Sequence, residues 1–264
     1  MRGSGTESPA IGSILVTLPV YNEVDRLQGT LERVEGVLRN LPIRYRLSVA
    51  EDGSTDGTKE VLARMTASWP ELIVQSLETK MGRGYALRRL WRQVDADAYV
   101  FMDTDLSTTP DNVVNLLSAL RSGYDVAIAS RYVEGARVVR PPLRHWTSLG
   151  YNWLLRRLFN DGIRDHQCGL KMFTKSALLQ LLPVCLEDSW FWDTEVIVRS
   201  REMGLRIAEI PVSWEERKYR RTSMRRLLSD VYLHGTGLIR LKSSLSASAG
   251  SDTTPTPQPA STTP

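Results

Sequence analysis

The sequence is poor in the residues that build disulfide frameworks and zinc sites. It has two cysteines, Cys168 and Cys185, and three widely separated histidines among 264 residues. Two cysteines are too few for a disulfide framework or a zinc knuckle, so the expected setting is a reducing, cytosolic one. No apolar run approaches the ~18 residues that a membrane-spanning helix needs, and no such helix is predicted.

The rest of the composition is that of an ordinary globular protein. Hydrophobic residues make up 42% of the chain and charged residues 24%. One domain is predicted over residues 13–242. The two ends, 1–12 and 243–264, are polar and rich in small residues, so both are predicted to be disordered. Residues 1–12 also lack the basic-then-apolar pattern of a signal peptide.

Positive charge is concentrated in two segments. The net charge is only +4, but residues 131–164 carry seven arginines against two acids, and residues 217–226 carry six basic residues and no acid. Such segments are either solvated basic faces or surfaces that meet phosphate in a lipid headgroup, a nucleotide or a nucleic acid. No recognised nucleic-acid-binding motif accompanies them, so no nucleic-acid partner is expected.

Hydrophobic periodicity predicts alternating strands and helices. Strands are predicted at 13–18, 45–50, 72–76, 98–102 and 124–129, and helices at 25–39, from residue 58, after the loop 80–86, and at 110–121. This alternation indicates an α/β fold of the Rossmann-like type, with a mostly parallel sheet and helices on both faces.

Two further helices combine apolar and basic residues. Residues 142–160 carry an apolar stripe beside arginines, and residues 224–242 repeat the pattern; the stripe of the first consists of Trp146, Leu149, Trp153, Leu154 and Leu158. Either these helices pack on the core or they rest at a bilayer interface, an option that tryptophan flanked by arginine favours.

Acidic motifs directly follow the predicted strands. Asp103 and Asp105 stand one residue apart after the strand 98–102, and Asp52 follows the strand 45–50. Ligands of parallel α/β sheets bind beyond the carboxyl ends of the strands, so these side chains should share one cleft. Two close carboxylates repel, and Mg²⁺ or Mn²⁺ bridging to a diphosphate would offset that repulsion. Asp52 could accept hydrogen bonds from a base.

Several motifs together resemble a known family. PVYNE (19–23), EDGSTDGT (51–58), the MGRGYA loop, DTDLS and ASRY (129–132) follow the order and spacing of family 2 glycosyltransferases. The segments IRDHQCGLKMFTK, WFWDTEVI and EIPVSWEER resemble the polyprenyl (dolichyl) phosphate hexose synthases, and the Gln-Cys-Gly form is more frequent in their glucose branch. The resemblance implies a single-domain GT-A fold with C-terminal amphipathic helices, a nucleotide-sugar donor and inversion at the anomeric carbon.

The resemblance also implies a role for particular residues. The residues that would bind the donor are Pro19, Tyr21, Glu23, Asp52, Arg83, Asp103 and Asp105. Asp103 and Asp105 would hold Mg²⁺ or Mn²⁺. The acceptor phosphate falls to Arg131, Arg144 and Ser148, and the catalytic set is Asp105, Arg131 and Arg217. Two departures stand out, because Ser107 replaces a frequent glutamine and the loop after Arg217 lacks its usual lysine.

The implied partners are UDP-glucose or GDP-mannose, a polyprenyl phosphate, and a membrane surface or a membrane-anchored protein. A peripheral location on the cytoplasmic face of a membrane is therefore expected. A phosphate acceptor is already largely ionised at neutral pH and needs no strong protein base. Asp193 and Glu195 could instead provide a base for a hydroxyl acceptor, or could simply favour the start of a helix.

Three other functions fit parts of the sequence. A family 2 glycosyltransferase that acts on a glycan or small-molecule hydroxyl is the nearest alternative. A nucleotide-sugar-binding homologue without catalysis is a second, because of Ser107 and the missing lysine. A dinucleotide-binding oxidoreductase is a third, but the loop at Gly82 and Gly84 lacks the full Gly-x-Gly-x-x-Gly spacing.

Overall fold

The computed structural model describes residues 10–215 and 235–246. Nine strands lie in the described part of the chain: β1 (Ser13–Val20), β2 (Arg44–Glu51), β3 (Ile73–Ser76), β4 (Ala98–Met102), β5 (Val126–Ser130), β6 (Arg137–Val139), β7 (Leu170–Thr174), β8 (Ile207–Pro211) and β9 (Ser213–Glu215). The helices there are α1 (Leu27–Leu38), α2 (Thr58–Ser68), α3 (Arg83–Trp91), α4 (Val113–Arg121), α5 (Pro142–Phe159), α6 (Lys175–Leu181) and α7 (Trp192–Glu202).

The main sheet has the strand order β3-β2-β1-β4-β7-β5-β8, and β6 pairs with β9 in a separate ribbon. All pairings in the main sheet are parallel except those of β7, which runs antiparallel to both β4 and β5. The predicted mostly parallel α/β fold is therefore confirmed. The five predicted strands also form, with ends that differ by a few residues.

Helices cover both faces of the sheet because the central strands are apolar on both sides. In β4 all five residues are buried, and neighbouring residues point to opposite faces. Val100 belongs to the cluster with α1, α2 and α4, whereas Phe101 belongs to the cluster with α3, α6 and α7. The strand that leads to Asp103 is thus fixed from two sides.

Helix α5 forms over the predicted span, and part of its apolar stripe is exposed. Pro142 stands at its first turn, and Asn160 ends it with a left-handed backbone. Trp146 and Trp153 of the predicted apolar stripe are 68% and 61% exposed. Of the two options left open by the sequence, core packing is therefore excluded for these two tryptophans, and the interfacial option stays a prediction.

The chain ends differ in detail from the prediction of disorder. Ile11 is buried and the Gly12 N–H donates to Asp97 at 3.0 Å, so the order begins before residue 13. The contacts divide the chain after Arg220; of the second part, residues 235–246 are described and are helical. This helix passes residue 242 because Ser243 to Ser246 contain no proline or glycine. The domain limits 13–242 stay a prediction, and 224–234 lie outside the described residues.

No helix in the described ranges has both the length and the apolar character needed to cross a membrane.

Candidate active site

The carboxyl ends of β1, β2 and β4 bring the predicted motifs to one edge of the sheet. β1 lies between β2 and β4, and all three run parallel. Pro19 stands beside Ala50 in the register of β1 and β2, and the Asp52 N–H donates to the Val20 carbonyl at 2.9 Å. Asp103 follows the last residue of β4. The common edge forms because parallel strands end on the same side.

Asp52 binds the loop that opens α3. Its Oδ1 accepts the N–H groups of Met81 at 2.7 Å and Gly82 at 2.8 Å. Burial raises the pKa of Asp52, and these backbone N–H groups oppose that rise. Gly53 permits the contact, because it has a φ of 70° and a Cβ there would overlap the backbone of Thr79. The sequence did not predict this bond, and the expected contact with a base stays a prediction.

The side chains of the PVYNE motif lie near the same loop. Lys80 Nζ stands 3.8 Å above the ring of Tyr21, which is 37% exposed. Glu23 pairs with Arg26 at 3.0 Å, and its N–H donates to Thr58 Oγ1 at 3.0 Å. The motif therefore presents an aromatic face at the edge of the sheet, and Lys80 of the neighbouring loop lies over it.

Asp103 is held tightly at the end of β4. Its N–H donates to the Gly169 carbonyl at 2.8 Å, and its Oδ1 accepts from Arg83 at 3.0 Å. A Cβ at Gly169 would overlap the Asp103 carboxylate, so only glycine fits there. Burial raises the pKa of Asp103 to about 7; Arg83 opposes this rise, while Asp105 and Asp193 add to it. The Asp103 side chain is 32% exposed, so a ligand can reach it.

Arg83 belongs to a buried chain of alternating charges. It donates to both Asp103 and Asp193, and Lys171 Nζ donates to Asp193 at 2.7 Å. Trp190 covers the guanidinium of Arg83 at 3.9 Å from the ring centre. Lys171 and Asp193 are buried, so their ion pair and the pairing of Asp193 with Arg83 offset the cost of burying these charges. Lys171 belongs to the segment IRDHQCGLKMFTK noted in the sequence, but sequence reasoning assigned this lysine no role.

The carboxylate pair suits a divalent cation bound with a diphosphate. Asp105 Oδ1 accepts the Ser107 N–H at 2.9 Å, and Leu106 between them has a φ of 49°. Ser107 Oγ is buried without a hydrogen-bond partner. Within residues 10–215 and 235–246 no cluster of three or more metal-ligating side chains exists. Two carboxylates, completed by phosphate and water oxygens, match the way Mg²⁺ is usually held.

The predicted acceptor residue Arg131 has a different partner. Its Nε and Nη2 donate to the two oxygens of Asp165 at 2.7 and 2.8 Å, and its backbone N–H donates to the same carboxylate. Burial works against the charge of Arg131, but Asp165 raises the pKa of Arg131. In turn Arg131 lowers the pKa of Asp165 against the effect of burial. Arg131 is thus one half of a buried bidentate pair, and its role toward an acceptor phosphate stays a prediction.

The other predicted acceptor residues lie on the first half of α5. Arg144 and Ser148 are half-buried, and the exposed side chains of Leu143 and Trp146 lie on the same helix. Arg217 lies outside the described residues.

Both acids proposed as an alternative base already have cationic or N–H partners. Asp193 is bound by Arg83 and Lys171. Glu195 accepts the Glu187 N–H at 2.8 Å and pairs with Arg199 at 2.8 Å. Neither carboxylate is therefore placed as an open proton acceptor.

Comparison with known proteins identifies the family. The family model described as "Glycosyl transferase family 2" matches residues 15–182 of this chain. The chain belongs to glycosyl transferase family 2. The resemblance noted from its motifs is thereby confirmed.

Curated relatives refine the position within family 2. Glycosyltransferase AglD of Haloferax volcanii is 38% identical over 205 residues, covering 76% of this chain and 33% of the relative. Dolichyl-phosphate beta-glucosyltransferase of Saccharomyces cerevisiae is 26% identical over 221 residues, covering 76% of this chain and 66% of the relative. The chain thus spans a third of the first relative and about two thirds of the second.

Solved structures show the same fold at low identity. Glucosyl-3-phosphoglycerate synthase from Mycobacterium tuberculosis, in complex with UDP, has a TM-score of 0.67 at 20% identity, covering 88% of this chain and 80% of its own. Mannosyl-3-phosphoglycerate synthase from Rubrobacter xylanophilus has a TM-score of 0.66 at 17% identity, with 94% and 78% coverage. The first enzyme was also crystallised with Mn²⁺ and UDP-glucose.

Proposed function

We propose that this family 2 chain transfers a hexose, glucose in the first place, from a nucleotide-diphosphate sugar to a polyprenyl phosphate with inversion at the anomeric carbon. The names of its relatives support this, since two of them are dolichyl-phosphate glucosyltransferases of Trichomonas vaginalis and yeast. A dolichol-phosphate mannosyltransferase of Pyrococcus furiosus is 32% identical over 129 residues, 49% of this chain and 36% of the relative, so mannose is the second candidate.

The observation that carries the proposal is the pairing of Asp193. Both of its oxygens are bound by buried cations, Arg83 and Lys171. A hydroxyl acceptor would need a base to take its proton, and this carboxylate is not available for that role. A phosphate monoester has a second pKa near ~6, so its oxygen is already a nucleophile at neutral pH. The site therefore suits an acceptor that arrives ionised.

The donor would bind beyond the ends of β2 and β4. Asp103 and Asp105 would hold Mg²⁺ or Mn²⁺, which gathers the oxygens of the diphosphate and stabilises it as a leaving group. Arg83 adds a fixed positive charge next to Asp103. The ring of Tyr21 and the ammonium of Lys80 offer a stacking face and a cation for the nucleoside end.

The transfer itself is a single displacement. An oxygen of the acceptor phosphate forms a bond to the anomeric carbon, while the bond from that carbon to the diphosphate oxygen breaks. The electron pair leaves with the nucleoside diphosphate, and no proton moves. The contribution of the protein is to hold two anions at reacting distance, which its cationic groups make possible.

Helix α5 is suited to the lipid side of the reaction. Leu143, Trp146 and Trp153 are exposed on a helix that also carries Arg144, Arg156 and Arg157. Exposed tryptophan with flanking arginine is typical of helices that lie in the interface of an anionic membrane. We include a peripheral membrane location in the proposal, and its cytoplasmic side stays a prediction.

A matrix of donors and acceptors tests the proposal. The purified chain is incubated with radiolabelled UDP-glucose or GDP-mannose, with Mn²⁺ or a chelator, and with polyprenyl phosphate or 3-phosphoglycerate. We expect chelator-sensitive label in the organic phase from UDP-glucose and polyprenyl phosphate only. Label on 3-phosphoglycerate would favour a soluble acceptor, and tight UDP binding with no transfer would favour a non-catalytic homologue.

A further inference from the structure

Helix α5 is attached to the rest of the protein through very few buried groups. Of its 18 residues, Asn152 and Leu155 are buried. One apolar side chain cannot set both the position and the rotation of a helix of this length. Hydrogen bonds therefore contribute to the placement of α5: those of Asn152, and the contact of the Tyr151 hydroxyl with Thr194 Oγ1 at 3.1 Å.

The bonds of Asn152 are unambiguous. Its Nδ2 donates to the Ser148 carbonyl at 2.9 Å, and its Oδ1 accepts the backbone N–H of His166 at 3.0 Å. A backbone N–H can only donate, which fixes Oδ1 on the side of His166. The same Oδ1 lies 2.9 Å from ring Nδ1 of His166, so Nδ1 carries a hydrogen.

The opposite nitrogen of the imidazole has an equally close partner. Nε2 of His166 lies 2.7 Å from Asp161 Oδ2, a distance at which one hydrogen must lie between the two atoms. Asp161 Oδ1 accepts the Ile163 N–H at 3.0 Å. We call Asp161, His166 and Asn152 the His166 clamp; all three are buried.

The clamp lies in the loop that also reaches the carboxylate pair. Next to His166, Asp165 binds Arg131, and three residues later Gly169 packs against Asp103. One short loop thus contacts both α5 and the end of β4. His166 stands at the unspecified second position of the Asp-x-Gln-Cys-Gly motif that resembles the hexose synthases.

We propose that His166 is a positioning residue that fixes α5, and with it Arg144 and Ser148, relative to Asp103. The effect on the acceptor rests on the proposed function, because it requires the acceptor to bind at α5. Substitution of a residue with only a structural role would lower stability and would not change the acceptor KM and the donor affinity differently. A positioning residue raises the KM of the acceptor and leaves donor affinity unchanged.

Two substitutions of His166 cut different halves of the clamp. The amide of asparagine reaches about as far as Nδ1 and can still donate to Asn152, whereas the amide of glutamine reaches about as far as Nε2. His166→Gln therefore removes the bond from the ring to Asn152 and keeps the bond from the backbone N–H, and His166→Asn is its matched control. Asn152→Ala removes both bonds from the helix side and serves if His166→Gln does not fold. Val34→Ala, in the core under α1, is a control for general destabilisation.

Amide hydrogen exchange on the full chain tests the clamp without any assumption about activity. For His166→Gln and Asn152→Ala we expect exchange in α5 to become about tenfold faster, with β1 and β4 unchanged. His166→Asn should stay close to wild type. Combining His166→Gln with Asn152→Ala should add nothing to Asn152→Ala alone, because Asn152→Ala already removes the bond to the ring. Unchanged exchange in α5, or an increase spread evenly over the chain, overturns the clamp.

Steady-state kinetics then tests the consequence for the acceptor. With UDP-glucose, Mn²⁺ and polyprenyl phosphate, His166→Gln should raise the acceptor KM about tenfold, while the Kd for UDP with Mn²⁺ stays at the wild-type value. Equal changes in donor and acceptor constants, or a change in kcat alone, overturn the positioning role. If the wild-type chain transfers nothing to polyprenyl phosphate, the proposed function fails, and the exchange data alone then support or overturn the clamp.

Discussion

Around the carboxylate pair the polar side chains are buried and bonded, whereas α5 exposes most of its length. Asp52, Arg83, Lys171 and Asp193 each have defined partners within hydrogen-bond distance. On α5 only Asn152 and Leu155 are buried. The proposed donor side is thus built from buried, mutually bonded groups. The proposed acceptor side, on α5, is a surface with exposed apolar residues.

Substitution of Asp103 should have the largest effect on activity, because this carboxylate lies at the centre of the proposed donor site. For Asp103→Asn we expect the rate of sugar transfer to fall about a thousandfold, as the diphosphate loses the cation that stabilises it. The measurement is kcat/KM for the donor, with Asp95→Asn as an exposed control of the same chemistry. Wild-type rates for Asp103→Asn would show that the pair does not bind the donor.

A methyl group placed against Asp103 should have the next largest effect. Gly169→Ala puts a Cβ where the Asp103 carboxylate lies, so that carboxylate must move. We expect about a hundredfold loss of transfer, in line with the cost of misplacing a catalytic group. The matched control is Gly36→Ala in α1, where a Cβ meets no neighbour and should add slightly to stability. Equal activity of the two variants would contradict the close fit at Asp103.

The pH dependence of metal binding sharpens the comparison further. With a pKa of about 7, Asp103 is mostly protonated at pH 6 and mostly ionised at pH 8. We expect the Mn²⁺ affinity of the metal-free protein to fall about tenfold from pH 8 to pH 6. Calorimetry of Mn²⁺ binding at the two pH values measures this.

The same raised pKa affects the metal-free fold. A carboxyl group whose pKa is higher in the folded state stabilises the fold at low pH, and that contribution is lost as the pH rises through about 7. An Mn²⁺ affinity that does not change between pH 6 and pH 8 would contradict the raised pKa of Asp103.

The smallest effect is expected for the exposed tryptophans of α5. Replacing Trp146 and Trp153 together by serine should weaken sedimentation with anionic vesicles several-fold, since these rings supply exposed apolar area on α5. Donor binding should not change. Leu179→Ser, an equally exposed apolar position on α6, is the control. Equal loss in both cases would mean that α5 is not the membrane-facing helix.

The sequence predicted the elements well and their partners poorly. Local patterns were sufficient for β4 and for Asp103 and Asp105 directly after it, because strand period and motif spacing lie within a few residues. The partners of Asp52, Arg131 and Asp193 lie 22 to 110 residues away in the chain, and no local pattern carries them. The buried face of α5 was also missed, because Asn152 is polar and the exposed residues are apolar.

The central claim is that the acceptor supplies its own ionised oxygen, so that Asp193 is not a base. The most direct test is the double variant Lys171→Met with Asp193→Asn, which removes one buried charge of each sign. At saturating UDP-glucose, Mn²⁺ and polyprenyl phosphate we expect kcat within about tenfold of wild type, below the 10²–10⁴-fold range of a lost general base. A loss beyond about a thousandfold, in a folded variant that still binds UDP with Mn²⁺ normally, would contradict the account.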